Sequence, residues 1–245
     1  MGNNYKLIAL DMDGTVLNEK DKISSANQAA IRKAIEHKVL VCFATGRVYQ
    51  DIEPFLQELN LDTPIIASNG GEVWKNPNEV YQRHCIDEKI IKELREIAIY
   101  NNCWFKGRAV EGVFSREQWI EDDISANQWL SFVFFTDEDN KRKQIFEKIN
   151  AWGTLEITNS HPYNLEINPR GISKASGIRE ICKWKNFEMS EVIAMGDSLN
   201  DLAMICEAGL GVAMGNAQDE VKQKADIVTL TNDEDGVAKI IENYI

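Results

Sequence analysis

The chain has 245 residues, 44% hydrophobic and 27% charged, and its 39 acidic against 27 basic side chains leave a formal net charge of -12. That apolar fraction supplies a core and excludes a disordered chain. The acidic balance argues against a general nucleic-acid or anionic-membrane binder, which needs a basic footprint, but leaves room for a small phosphorylated ligand held by a few local cations.

No run of about 18 apolar residues is present, so no transmembrane helix is expected. The start, Met1-Gly2-Asn3-Asn4-Tyr5-Lys6, lacks the basic region and apolar stretch of a secretory signal. Lys6 stands where myristoylation of Gly2 wants Ser or Thr. The closest two of the five cysteines, Cys42, Cys85, Cys103, Cys182 and Cys206, are eighteen residues apart. They read as buried reduced thiols of a cytoplasmic protein rather than a disulfide framework or a zinc site. His37, His84 and His161 are scattered singly and suggest no metal cluster.

Lys6 to Leu10 is an apolar run ending in Asp11 and predicts a buried strand. Ser25-Ala26-Asn27-Gln28 has capping-box spacing and opens a helix with Ile31, Ala34 and Ile35 on one face. Val39 to Ala44 predicts the next strand; Ile52, Leu56 and Leu59 mark a helix; Pro64 to Ala67 predicts a third strand, ended by Ser68-Asn69-Gly70-Gly71. Continuous apolar strands alternating with helices imply a parallel sheet covered on both faces.

The middle changes character. A helix after Asp87 carries Ile90, Ile91, Leu94, Ile97 and Ala98, and a second spans Asn140 to Trp152. Trp104-Phe105, Val113-Phe114, Phe132 to Phe135, Leu155 to Ile157 and Leu165 to Ile167 read as strands, giving an α+β unit closed by a turn at Asn168 to Gly171. Alternation then returns: a helix from Lys174 to Trp184, a strand from Val192 to Met195, a helix from Asn200 to Ala208, short strands at Val212 to Met214 and Ile227-Val228 around a helix at Asp219 to Ala225, and a final helix from Gly236 to Tyr244.

Polar residues follow four predicted strands: Asp11 and Asp13, then Thr45-Gly46-Arg47, then Ser68-Asn69-Gly70, then Gly196-Asp197-Ser198-Leu199-Asn200-Asp201. In a parallel sheet these strand ends share one edge, where ligands bind. Asp11 and Asp13 project to the same side, and a hard divalent cation such as Mg²⁺ would relieve their repulsion, with Asp197 as a third acidic ligand. No Gly-x-Gly-x-x-Gly follows the first strand, which disfavours a dinucleotide-binding dehydrogenase.

Here the sequence resembles the haloacid dehalogenase superfamily of phosphotransferases. Its motifs stand in order as Asp11-Met12-Asp13-Gly14-Thr15-Val16, as Thr45 in Ala44-Thr45-Gly46-Arg47, as Lys174, and as Gly196-Asp197-Ser198-Leu199-Asn200-Asp201. Thr45-Gly46-Arg47, Ser68-Asn69-Gly70 and Gly211 to Ala217 are similar to the Cof-type branch. The resemblance implies an α/β fold with a Rossmann-like parallel-sheet core at 1–82 and 171–245 and an inserted α+β cap at 83–170. It implies a cytoplasmic Mg²⁺-dependent phosphatase of small phosphorylated metabolites, sugar phosphates or phosphorylated cofactors and their precursors, with no nucleic-acid or membrane partner.

By the same resemblance Asp11 is the nucleophile that becomes phosphoaspartate, and Asp13 the acid and base. Asp11, Asp13 (through its carbonyl) and Asp197 hold Mg²⁺; Met12 (by its amide), Thr45, Gly46, Lys174 and Asn200 hold the phosphoryl oxygens; Asp201 orients the metal shell or Lys174. Arg47 either contacts substrate or pairs with a core carboxylate, and Asn69 and Ser198 sit at the same edge. The cap aromatics read first as core, with Trp104, Trp119 or Trp129 as candidates to face the substrate; Arg108, Arg116 and His161 read first as solvated surface and second as specificity candidates. A phosphomutase and a metabolite-binding regulatory protein are the rival readings.

Overall fold

The computed structural model describes residues 5–119 and 123–245; the start of the chain, Gly2 included, lies outside the described residues. In chain order the elements are β1 Leu7–Leu10, α1 Ser25–Glu36, β2 Leu40–Ala44, α2 Tyr49–Leu59, β3 Ile65–Ala67, β4 Glu72–Asn76, β5 Glu79–Arg83, α3 Glu88–Tyr100, β6 Trp104–Ala109, β7 Gly112–Ser115, α4 Asp123–Ala126, β8 Trp129–Phe135 and α5 Asp139–Asn150. They continue with β9 Leu155–Thr158, β10 Asn164–Pro169, α6 Lys174–Lys185, β11 Val192–Gly196, α7 Leu202–Glu207, β12 Leu210–Ala213, α8 Asp219–Lys224, β13 Ile227–Val228 and α9 Gly236–Tyr244.

The first sheet has eight strands in the order β13-β12-β11-β1-β2-β3-β4-β5, parallel from β13 to β3 and antiparallel beyond. β1 shows why both faces must be covered. Ile8 and Leu10 pack with Ile31 of α1, Ile52 of α2 and Ile241 of α9, while Leu7 and Ala9 pack with Ile178 of α6 and Met204 of α7. Burial of each large side chain contributes about 1.5–3 kcal/mol, and the period-two strand divides that gain between the two layers. This is the expected α/β fold with a parallel-sheet core.

The second sheet has five antiparallel strands in the order β7-β6-β8-β10-β9. One face packs Phe105, Phe132, Phe134 and Ile167 against Leu94 of α3 and Ile145 of α5. The alternate residues form the other face: register pairs Trp104 with Phe135 and Lys106 with Val133 across β6 and β8, and Val133 with Glu166 across β8 and β10.

Some local expectations fail for physical reasons. The α1 cap is Ser24, one residue earlier, whose side chain accepts from the Asn27 amide; Ile35 then turns outward and is 42% exposed. The β4–β5 hairpin extends the first sheet where no strand was expected, because an antiparallel edge tolerates polar residues such as Lys75 and Glu79. Asn168 belongs to β10 rather than to a turn; its buried amide donates to the Ser68 and Leu130 carbonyls. Cys85 and Cys206 are exposed, whereas Cys42, Cys103 and Cys182 are buried, and all five are free.

Candidate active site

The strand-end loops converge as expected. The Asp11 amide donates to the Met195 carbonyl, which fixes the end of β1 against the end of β11. Gly14 sits at φ +76°, and a β-carbon there would lie 2.8 Å from Asp197 Oδ2, so only glycine lets the first and fourth motifs approach this closely. Asp201 Oδ2 accepts from the Asp197 and Ser198 amides at 2.9 and 3.0 Å. Lys174 is the first residue of α6, fully buried, and donates from Nζ to Asp11 Oδ1 at 2.5 Å and to Asp201 Oδ1 at 2.6 Å. A cation at a helix N-terminus opposes the helix dipole; the two carboxylates offset that cost. Burial alone would lower this ammonium, but Asp11 and Asp201 raise it.

Carboxylate oxygens of Asp11, Asp197 and Asp201 lie within 4.8 Å of one another. Three carboxylates around one ammonium leave an excess of two negative charges. Burial, reinforced by Asp201, pushes the Asp11 carboxyl well above its ordinary range and the Asp197 carboxyl up to about 7. Both oxygens of Asp201 are occupied by Lys174 and the two amides. Asp197 Oδ1, in contrast, is buried with no donor among the described residues. Hard oxygen donors, excess negative charge and an orphaned buried oxygen together fit a hard divalent cation held by Asp11 and Asp197, with Asp201 positioning Lys174.

Thr45, fully buried, accepts from the Arg47 amide and, through its carbonyl, from the Asn69 amide. Asn69, at φ 56°, accepts from Asn200 Nδ2 at 3.1 Å and donates to Glu166 Oε2 at 2.5 Å, so it bridges the fourth motif and the second sheet. Met12 buries its side chain completely, so only its backbone is available to a ligand. Arg47 forks onto Asp13 at 2.9 and 2.5 Å and also lines the cavity described below, so it meets the carboxylate and borders the ligand space at once. Ser198 donates its hydroxyl to the Ser160 carbonyl, and Asn200 its amide to the Asn159 carbonyl, so the 159–160 loop grips the fourth motif.

Above this floor lies a cavity of about 380 Å³ whose lining includes Asp11, Asp13, Gly46, Arg47, Asp197 and Asn200. That volume suits a small metabolite. Its roof is the open face of the second sheet, with Trp104, Lys106, Arg108, Val133, Phe135 and Glu166. Glu166 is buried and accepts from Arg108, Asn69 and Ser160; burial would raise its carboxyl, but the Arg108 guanidinium and these hydrogen bonds hold it below its ordinary value.

A model of the haloacid dehalogenase-like hydrolases matches residues 8–132 and 108–241. The chain is 42% identical to the 5-amino-6-(5-phospho-D-ribitylamino)uracil phosphatase YcsE of Bacillus subtilis, over 99% of this chain and 96% of the relative. It belongs to the haloacid dehalogenase-like hydrolases. A second B. subtilis phosphatase named for the same substrate, YwtE, is 31% identical over 98% of both chains. The solved structure of a haloacid dehalogenase-like hydrolase from B. subtilis superposes with a TM-score of 0.87 at 27% identity, covering 98% of this chain and 100% of the other. The enzyme class is therefore the expected one, a phosphatase of the Cof-type branch of this superfamily. Phosphatases of this family use a divalent metal, which agrees with the acidic cluster.

Around the second sheet the structure sorts the candidates. Trp129 is buried and stacks on Trp119 with ring centroids 4.8 Å apart, inside the second core; Trp104 alone of the three lines the cavity. Arg116 donates to the Cys103 carbonyl and to Asn102, outside the cavity lining. His161 stacks beside Phe135 without lining the cavity. Lys106, Glu166, Ser160 and Asn164 line it, and sequence reasoning missed them. The signal was the alternation Trp104-Phe105-Lys106-Gly107-Arg108, which places a second cation on the same strand face as Arg108.

Proposed function

We propose that this protein is a cytoplasmic Mg²⁺-dependent phosphatase that hydrolyses a small phosphorylated metabolite through a phosphoaspartate on Asp11. Residues 1–82 and 171–245 would act as the catalytic core and 83–170 as a cap. The carrying observation is the Lys174 clamp on Asp11 and Asp201 beside the unsatisfied Asp197 Oδ1, all under one cavity.

Asp11 attacks phosphorus, forming the Asp11–phosphorus bond as the bond to the leaving oxygen breaks. Asp13 gives its proton to that oxygen, and for this it must exchange its pairing with Arg47 for the substrate. Water then attacks the phosphoaspartate, Asp13 takes the proton, and inorganic phosphate leaves. Lys174 holds a phosphoryl oxygen while steering Asp11, and Thr45, Gly46, Asn200 and the Met12 amide complete the cradle. Mg²⁺ on Asp11, Asp197 and the Asp13 carbonyl would supply charge neutralisation between the anionic nucleophile and the phosphate.

The two relatives named for 5-amino-6-(5-phospho-D-ribitylamino)uracil support that ester, an intermediate on the way to flavins, as the first substrate to try. The test is phosphate release from this ester and from sugar phosphates, with Mg²⁺ and with chelator. Metal-dependent release of inorganic phosphate is expected. Phosphoryl transfer to a second sugar position, or binding without turnover, would replace this reading with a mutase or a binding protein.

A further inference from the structure

β6 presents two cations to the cavity at alternate positions, Lys106 and Arg108. Arg108 is 8% exposed, and its Nη2 donates to Glu166 Oε1 at 3.1 Å. Its Nη1 is buried and meets no acceptor among the described residues. A β-carbon added to Gly46 would lie 3.6 Å from that Nη1, so the orphaned donor hangs over the second motif. The Lys106 ammonium has no hydrogen bond or ion pair to a described residue; burial, and then the Arg108 charge, lower it. Buried donors are almost always paired, so the orphaned Arg108 Nη1, with the half-buried Lys106 ammonium unpaired beside it on the same cavity wall, points to an acceptor supplied from outside the protein.

The surroundings narrow that acceptor. Trp104 and Phe135 are register partners on the same face, both exposed, at the edge of the lysine. The indole is held by Glu117, to which Nε1 donates at 3.0 Å. Such aromatics offer a surface for a flat ring. The carboxylates facing Lys106 from other elements are Glu166 of β10, Asp51 of α2 and Asp13 of the first loop. They would repel a second dianionic phosphate far more than a neutral carbonyl.

We propose that Lys106 and Arg108 form the specificity subsite for the leaving group, reading the carbonyl oxygens of a flat heterocycle that lies against Trp104 and Phe135. This rests on the phosphatase reading above. It assigns Lys106 and Arg108 no part in the chemical steps.

The experiment measures kcat and KM for two esters that share a phosphorylated ribityl chain, 5-amino-6-(5-phospho-D-ribitylamino)uracil and ribitol phosphate, which lacks the ring. Wild type, Lys106→Met, Lys106→Arg and Arg108→Lys are compared, with melting temperatures to confirm folding. Wild type is expected to prefer the ring-bearing ester. Lys106→Met is expected to lose about 10- to 100-fold of that preference, chiefly in KM, as for one hydrogen bond to a charged group. Lys106→Arg should recover most of it, and Arg108→Lys, which keeps the charge beside Glu166, should lose an intermediate share. A Lys106→Met enzyme that keeps the full preference overturns the subsite alone. A wild type that releases phosphate from ribitol phosphate but does not favour the ring overturns the flavin-precursor reading and the subsite together. Faster turnover of a ribitol bisphosphate than of the ring-bearing ester would assign the cations to a second phosphate instead.

Discussion

The floor and the roof of the cavity are built differently. The floor comes from loops at the ends of β1, β2, β3 and β11, where a turn needs Gly14, where the close approach of Asp201 needs Gly196, and where Lys174 must reach two carboxylates from a helix start. Each residue there is constrained by backbone geometry and charge together. The roof comes from alternate residues of β6, β8 and β10, which any strand of that register would project the same way. A scaffold that holds one phosphoryl group rigidly can therefore keep its floor while its roof changes with the leaving group.

The sharpest break in this comparison is Asp11→Asn. It removes the proposed nucleophile without changing size, and turnover should fall by about 10⁴-fold or more while the fold persists. Substantial residual activity would move the nucleophile elsewhere. Lys174→Met should damage both function and stability, because it strands two buried carboxylates; about 3–5 kcal/mol is expected, a drop in Tm on the order of 10 °C for a chain of this size. Addition of Mg²⁺ should restore part of that loss, since a cation on Asp11 and Asp197 would take over some of the missing positive charge. An unchanged Tm would show that the clamp is not a structural element.

Gly14→Ala puts a β-carbon 2.8 Å from Asp197 Oδ2 at a φ that costs a further 1–2 kcal/mol or so. The expected result is a 10- to 100-fold or so weaker requirement-level affinity for Mg²⁺, read as a shift in the metal titration of activity. The smallest effect should come from the roof. Glu166→Gln weakens the hold on Arg108, and the pH dependence of stability identifies it. The folded carboxyl is depressed, so its contribution is complete above the unfolded value of about 4.3 and is lost as pH falls through the folded value. The variant should therefore lose stability near neutrality and lose less on acidification. Parallel wild-type and variant curves would remove the Glu166–Arg108 pair from the account.

The same contrast governs how much could be read before the structure. Asp11, Thr45 and Asp197 stood out because each closes an apolar run and their order fits one sheet edge; Lys174, which by itself reads as a solvated lysine at a helix start, stood out only through the motif order of the family resemblance. Arg47 was ambiguous because an arginine beside a carboxylate and an arginine beside a substrate look alike in sequence; in the structure it forks onto Asp13 and lines the cavity as well. Lys106 and Glu166 were missed because a charged residue at an alternating strand position ordinarily faces solvent. It becomes a cavity residue here only because the second sheet turns its polar face onto the first. Trp129 is core, as the aromatics of the middle region first read: its ring fills the space above Gly107, where a β-carbon would lie 2.3 Å from the indole.

The most direct measurement is an acid quench of a single turnover with Mg²⁺ and the ribitylaminouracil phosphate, followed by mass spectrometry of the peptide that contains Asp11. A phosphoryl group on Asp11 that appears and decays as inorganic phosphate is released, and that is absent from Asp11→Asn, is the predicted result. Phosphate release at full rate with an unmodified Asp11 throughout the turnover would contradict it.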